Sequence, residues 1–471
     1  MNIIHISSEV FPFSKTGGLA DVAYALPKAQ SRLGESVKVF TPLYKGIINK
    51  FELIDTGFRT VVNTSIGNFD FSVYKYIHEN VETYFLNNNY FFFRKELYSE
   101  NGFDYHDNYL RFGCFCIAIL HFIDYFDIPV DIIHVHDWQT SFIPIFIKTD
   151  YSFIKSKIIL TIHNLAFQGI FDRSCLNVLK MPSYLYNIEY LEYYGAINIL
   201  KGAIILSDYF TTVSPTYATE IMDKNFGYGL EGVISEKKYK LKGILNGIDY
   251  DIWNPEQDNK IKKNYSINTL QYKYFNKEEF SNNFFIDSKL PLFSFISRFT
   301  SQKGADILIE LLENKEINEA AFAILGNGPK EIADRFKQIG FVKPNIFVYT
   351  GFNEDLAHQL YAASDFLLMP SRFEPCGLSQ LIAMKYGTIP IVNRTGGLED
   401  TVVDINDGGY GFCIDEVNTD KLYYAIQRAI VLYNHKKQKE MIAKKCMELN
   451  FSWTKSAGEY IKIYKDLLYH H

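Results

Sequence analysis

Short apolar runs closed by glycine or polar turns alternate with longer amphipathic stretches along the whole chain, the pattern of strands and helices in parallel α/β sheets. In the first half the runs Ile3–Ile6, Val37–Thr41, Ile132–Val135, Ile158–Ile162 and Phe210–Val213 predict strands. A helix is expected over Leu19–Leu33, with Pro27 as a place to kink or end it. Residues 51–93 form an aromatic-rich insertion with strand-like alternation and no assignable pairing. A turn-rich segment, Asn246-Gly247-Ile248-Asp249, and a polar stretch to about Lys289 interrupt the pattern. It then restarts, with strands expected at Leu292–Ser297, Ala321–Leu325, Ile346–Tyr349, Phe366–Met369 and Ile389–Val392. Helices are expected between them, at Ala305–Leu312, Asp355–Ala363, Ser379–Tyr386 and Asp420–Tyr433.

The fold class that follows is α/β, with two Rossmann-like doubly wound domains facing a central cleft. The boundaries expected are 1–245, 246–450 and a C-terminal segment 451–471 that crosses back to the first domain. At 471 residues the chain exceeds what one hydrophobic core usually organises, which agrees with two domains. Folds of this kind bind ligands at the carboxyl ends of their strands.

Charge and composition narrow the partners. With 48 Lys plus Arg against 54 Asp plus Glu, nothing favours the phosphate backbone of a nucleic acid. The six cysteines form no CxxC pair, which points to a reducing compartment, with the cytoplasm as the default and a plastid, after removal of a transit peptide, as the alternative. No apolar stretch reaches the roughly 20 residues of a membrane span, and the first residues lack the look of a signal peptide.

Candidate chemistry sits at the strand ends. Lys15-Thr16-Gly17-Gly18-Leu19-Ala20-Asp21 joins the first strand to the first helix, where glycines, amides and one cation suit a phosphate. Arg298 and Lys303 follow the first strand of the second half and suit a diphosphate leaving group. In Phe373-Glu374-Pro375-Cys376-Gly377-Leu378 a carboxylate can bind sugar hydroxyls and turn amides can receive phosphate or ribose oxygens, and Thr395-Gly396-Gly397 repeats the arrangement. Each turn taken singly is equally well a helix cap or solvated loop. His134 and His136 share one strand face and raise a metal pair, but no third ligand stands at a familiar spacing, so no metal and no cofactor are expected. His163 beside Asn164 suits hydrogen bonding to a sugar.

These motifs, with His136-Asp137-Trp138 and Asn246-Gly247-Ile248-Asp249, stand in the order found in bacterial glycogen synthases and starch synthases, and the chain resembles that family from residue 1 to beyond 450. The resemblance implies a GT-B glycosyltransferase that moves glucose from ADP-glucose to an α-1,4-glucan, with retention and without a metal. It implies that Lys15 and the amides of Gly17 and Gly18 hold the distal phosphate, with Asp21 in the same loop. Arg298 and Lys303 then neutralise the diphosphate, and His163, Asn246 and Glu374 bind the glucosyl unit with Asp137 and Asn164 nearby. Cys376, Gly377, Leu378, Thr395 and Gly396 fall in the nucleotide-side turns. Tyr109 and Asp107-Asn108, with Arg111-Phe112, look like the acceptor-side region. Two positions depart from the family pattern: Gln139 where His is common, and Phe352 where bacterial members often place Tyr against the adenine. Phe352 can stack but lacks the hydroxyl. The rival expectations are a glucan-binding protein without activity, or a related retaining transferase using UDP-glucose or a small acceptor.

Overall fold

The computed structural model describes residues 1–100 and 102–469. Residues 470 and 471 of the expected C-terminal segment lie outside the described residues. The chain divides into two compact units. One comprises Met1–Val213, Ala218–Ile244 and the C-terminal residues from Trp453 on, and the other Ser214–Tyr217 and Leu245–Ser452.

The first unit is built on a nine-stranded sheet. Its central strands, Asn2–Ile6 and Ile132–His136, lie side by side and parallel. From Asn2–Ile6 the sheet continues through Ser36–Pro42 to Val81–Asn87, and from Ile132–His136 through Lys157–Ile162 and Tyr209–Thr212 to Leu241–Gly243. The chain therefore reverses its direction of growth between Asn2–Ile6 and Ile132–His136, the position at which such sheets open a crevice at their carboxyl end. The aromatic insertion resolves into Val81–Asn87, which extends the parallel sheet, and an antiparallel hairpin, Ile54–Asn63 with Asn68–His78, on its edge. Phe13 packs edge-on against Phe51, Tyr76 and Phe85, so the insertion is stapled to the loop after the first strand.

The first helix runs Gly18–Arg32 on past Pro27, where a kink or an early end was expected. Nearly all of its residues from Ala20 to Gln30 are buried, and Trp453, Tyr460 and Tyr464 of the helix Trp453–Tyr469 share a core cluster with its Val22, Ala25, Leu26 and Ala29. Burial of that face outweighs the backbone hydrogen bond that a mid-helix proline removes.

The second unit carries six parallel strands in the order Ile346–Thr350, Ala321–Gly326, Leu292–Ile296, Phe366–Met369, Ile389–Asn393, Phe412–Ile414. Numbered by position in the chain this is 3-2-1-4-5-6, the doubly wound order, with its reversal between Leu292–Ile296 and Phe366–Met369. The sheet strands read as nearly continuous apolar runs because helices cover both faces. The polar stretch after Asp249 is folded onto this unit. Trp253 stacks on His358 at 3.9 Å, His358 Nδ1 pairs with Asp258 at 2.7 Å, and the helix Lys273–Phe284 follows. Lys273, whose ammonium burial drives its pKa far down, donates to the carbonyls of Tyr361, Ala362 and Tyr386 and to the Thr388 hydroxyl.

Among the described residues no helix is long and apolar enough to cross a membrane. All six cysteines are free thiols.

Candidate active-site residues

In the second unit the candidates converge on the reversal of the sheet. Leu292–Ile296 ends in the turn carrying Arg298 and Lys303, and Phe366–Met369 ends in the turn carrying Glu374. Lys303 Nζ donates to Glu374 Oε2 at 2.5 Å, with the two side chains only 16% and 7% exposed. The Ser371 hydroxyl donates to the same oxygen at 3.3 Å. Arg298 is exposed, and among the described residues its guanidinium has no hydrogen bond or ion pair. Together they place one cation already committed to a carboxylate and one still available at the same strand ends.

These turns are held by backbone-to-backbone approach, which is why glycine recurs in them. Gly304 adopts φ +72°, and a Cβ there would meet the carbonyl oxygen of Pro370 at 2.1 Å. Gly396 adopts φ +44°, and its Cβ would meet the Glu374 carbonyl at 2.1 Å. Polar cross-links complete the frame: Gly397 N donates to Glu374 O at 3.1 Å, Asn393 Nδ2 to Ser371 O at 2.9 Å, and the Ser214 hydroxyl to Pro375 O at 2.6 Å. Arg372 clamps Asp306 with two bonds, 2.8 and 2.7 Å, tying the Glu374 turn to the helix after Lys303.

Cys376 is buried beneath the same turn and burial pushes its thiol up to about 12, with the Asn246 amide hydrogen-bonded to it. Asn246 is 6% exposed, and among the described residues its Oδ1 has no hydrogen-bond partner. Gly377 and Leu378 lead into the helix Ser379–Lys385, and Gln380 Nε2 donates to the carbonyls of Cys376 and Gly377. Thr395 is buried at the N-terminal boundary of the helix Gly396–Thr401. Phe352 stands exposed after the strand Ile346–Thr350. One turn was missed by the sequence reading. Gly326-Asn327-Gly328 packs on the Arg298 turn, Phe299 N donating to Asn327 O at 2.6 Å, and a Cβ on Gly326 would meet Ser297 O at 1.8 Å. Two glycines directly after a strand were its signal.

In the first unit the candidates lie around the other reversal. Lys15 pairs with Asp21 at 2.7 Å, both 30% exposed. The loop beneath them is partly spoken for: Glu9, 3% exposed, accepts from Thr16 N, from the Thr16 hydroxyl at 2.9 Å and from the Tyr98 hydroxyl at 3.1 Å. Burial raises the Glu9 pKa, and the hydrogen bonds from Thr16 and Tyr98 oppose the shift. Glu9 was not singled out in the sequence, where Ser8-Glu9-Val10 shows no pattern.

Asp137 begins a short helix after Ile132–His136 in the left-handed conformation, φ +57°, uncommon outside glycine. Its carboxylate accepts from His163 N at 2.7 Å and from Asn164 N, and burial raises its pKa to about 7 against those bonds. The amide-binding carboxylate thus shapes the turn from which the His163 ring projects. Asn164 in turn accepts from Ala166 N at 3.0 Å. His163 Nε2 lies 3.0 Å from His136 Nδ1, and burial lowers the His163 pKa to about 3. The ring stays neutral at physiological pH, fit to exchange hydrogen bonds rather than to supply a positive charge.

Nearby, Arg111 is fully buried and donates to Phe91 O, Asn108 Oδ1 and Leu97 O, while Arg94 grips Asp107. Tyr109 rests its ring 5.8 Å from Phe171. Gln139 is buried with Oε1 unpartnered.

Two doubly wound units with cations and glycine turns at the strand ends are the architecture of the GT-B glycosyltransferases. The starch synthase catalytic domain matches residues 2–236, and the group 1 glycosyl transferases match residues 276–445. The chain belongs to the glycogen and starch synthase family. It is 42% identical to a glycogen synthase of Aquifex aeolicus over 100% of both chains, and 40% identical to one of Thermodesulfovibrio yellowstonii over 99% of this chain and 98% of that one. Its structure is similar to the catalytic domain of starch synthase IV from Arabidopsis thaliana bound to ADP and acarbose, with TM-score 0.93, 32% identity and 99% of each chain covered.

Proposed function

We propose that the chain transfers glucose from ADP-glucose to the non-reducing end of an α-1,4-glucan with retention of configuration, as a cytoplasmic enzyme of glycogen synthesis. The observation that carries this is the Lys303–Glu374 pair beside the uncommitted Arg298 at the reversal of a doubly wound sheet. A diphosphate leaving group gains negative charge as the bond to the sugar breaks, and preorganised cations at that oxygen lower the barrier without reorganisation. Glu374, released in part from Lys303 by the incoming phosphates, accepts from sugar hydroxyls, and Asn246 Oδ1 supplies a further acceptor. His163, Asp137 and Asn164 are assigned to the glucosyl unit, and the Lys15 loop to phosphate.

Retention fits a front-face displacement. The bond from the anomeric carbon to the phosphate oxygen breaks, the acceptor hydroxyl oxygen bonds to that carbon on the same face, and its proton passes to the departing phosphate. The carboxylates named have other roles: Glu374 is assigned to the sugar hydroxyls, and Asp137 accepts from the His163 and Asn164 amides. The protein's contribution is then position and charge.

One experiment tests the reading: labelled ADP-glucose and UDP-glucose offered in parallel with glycogen, with maltooligosaccharides and with no acceptor. Transfer from ADP-glucose to either glucan is expected. Glucan binding without transfer from either donor would refute it, and transfer from UDP-glucose alone would move the chain to a different donor class.

A further inference from the structure

A single run of hydrogen bonds crosses the first unit from His163 to the C-terminal helix. His163 Nε2 lies 3.0 Å from His136 Nδ1, and His136 Nε2 lies 3.1 Å from His5 Nδ1. His5 Nε2 lies 2.7 Å from Gln30 Oε1, and Gln30 Nε2 donates to the Tyr464 hydroxyl at 3.1 Å. That hydroxyl lies 2.7 Å from His134 Nδ1, His134 Nε2 lies 2.6 Å from Thr161 Oγ1, and Thr161 Oγ1 lies 2.6 Å from Thr211 Oγ1. Every member past His163 is at 0% exposure. Six elements distant in sequence meet here because parallel pairing sets His5 opposite His134 and His136 opposite Thr161, while Gln30 and Tyr464 come from the two helices packed over that sheet.

The three histidines His5, His134 and His136 have ligand atoms within 4.8 Å of one another, the spacing of a metal site. Each of their six ring nitrogens already has a partner in the run, however, and His5 Nδ1 and His136 Nε2 face each other across one proton. The hydrogen-bonded arrangement accounts for every nitrogen.

Such a run has a direction. A neutral imidazole donates from one nitrogen and accepts at the other, so fixing one ring fixes the next. The Gln30 carboxamide presents its carbonyl to His5 and its NH2 to Tyr464. His5 must then carry its proton on Nε2 and accept at Nδ1. His136 donates to it from Nε2 and accepts at Nδ1, and His163 donates from Nε2. On the other side the Tyr464 hydroxyl accepts from Gln30 and donates to His134 Nδ1, and His134 Nε2 donates to Thr161. Burial lowers the pKa of all four rings, which keeps each of them neutral and holds the logic in place.

We propose that Gln30, locked by Tyr464, is a positioning residue that sets the tautomer of His163 from the far end of the run, leaving His163 Nδ1 bare as an acceptor for a glucosyl hydroxyl of the donor. Among the described residues that nitrogen has no partner, and His163 is only half-buried. A Gln30 amide turned over would reverse every bond and put the proton on His163 Nδ1, converting an acceptor into a donor. Reading the recipient as a sugar hydroxyl rests on the proposed function; the tautomer does not.

The test uses the full chain labelled with 15N-histidine and two-dimensional long-range proton–nitrogen correlation at neutral pH, the His163 signals being identified by their loss in His163→Asn. All four rings are expected as the Nε2–H tautomer. His163 found as Nδ1–H or as imidazolium, or three of the rings shifting together on addition of one equivalent of zinc, overturns the proposal. In Gln30→Met and in Tyr464→Phe, which keep volume and ring, His163 is expected to become a tautomer mixture and kcat/KM for ADP-glucose to fall about ten-fold, the cost of one misdirected hydrogen bond. An unchanged tautomer and unchanged kcat/KM in both variants overturn the steering role. If the wild-type chain transfers nothing from ADP-glucose the proposed function fails, while the spectra still decide the tautomer.

Discussion

Replacing Lys303 by Met separates two consequences that a loss of activity alone would merge. In the unliganded chain Lys303 is the partner of Glu374, and the pair is largely removed from water. At 2.5 Å the attraction amounts to about 7 kcal/mol for an effective dielectric of ~20, most of it offset by the desolvation of two charges. Removing only the cation strands the carboxylate, a loss of about 3–5 kcal/mol for a well-buried pair. The Glu374→Gln, Lys303→Met double variant removes both charges and should recover most of that stability. Turnover behaves differently: a preorganised charge contact to the leaving group is worth about 10²–10³ in kcat, and neutralising Glu374 does not restore it. Thermal unfolding and initial rates with labelled ADP-glucose and maltooligosaccharide measure the two side by side. The reasoning is refuted if Lys303→Met keeps kcat within about three-fold of wild type, or if the double variant regains activity together with stability.

Arg298→Ala should lower kcat by a comparable factor while leaving the melting temperature unchanged, because among the described residues its guanidinium has no partner to strand; a large drop in melting temperature would contradict that placement. Asp137 has a folded pKa raised to about 7, so its neutral form is favoured by folding, and its contribution to stability is present below its unfolded value near 4 and lost as pH rises through 7. Asp137→Asn, which tolerates the left-handed backbone, should therefore gain stability relative to wild type between pH 4 and 8, read by urea unfolding at each pH, and a pH-independent difference would remove the argument. Gly304→Ala should cost about 2 kcal/mol or more, since the new methyl is strained at φ +72° and must displace the Pro370 carbonyl, and melting within a degree of wild type would show the turns to be less tightly held.

Much of the frame was legible before folding. The strands around Ile3–Ile6, Ile132–Val135, Leu292–Ser297 and Phe366–Met369 announce themselves as apolar runs, because a strand covered on both faces needs no polar position. The turns with Arg298, Lys303, Glu374 and Gly396 were visible as charge and glycine at the ends of those runs. Legibility failed where the outcome depended on what lay opposite. Pro27 reads as a breaker, yet the packed faces of two helices carry the helix past it. The insertion at 51–93 alternates like a strand without stating its partner, and it took the edge of Ser36–Pro42 to decide the pairing.

By itself, then, the order of residues determined the elements, the turn chemistry and the family, all of which are written within a few residues of one another. Tertiary structure alone decided that His5, Gln30, His134, His136, His163 and Tyr464 form one hydrogen-bonded run. Parallel strands pair through register, and register between segments some 130 residues apart is set by the burial of whole sheet faces rather than by any local signal.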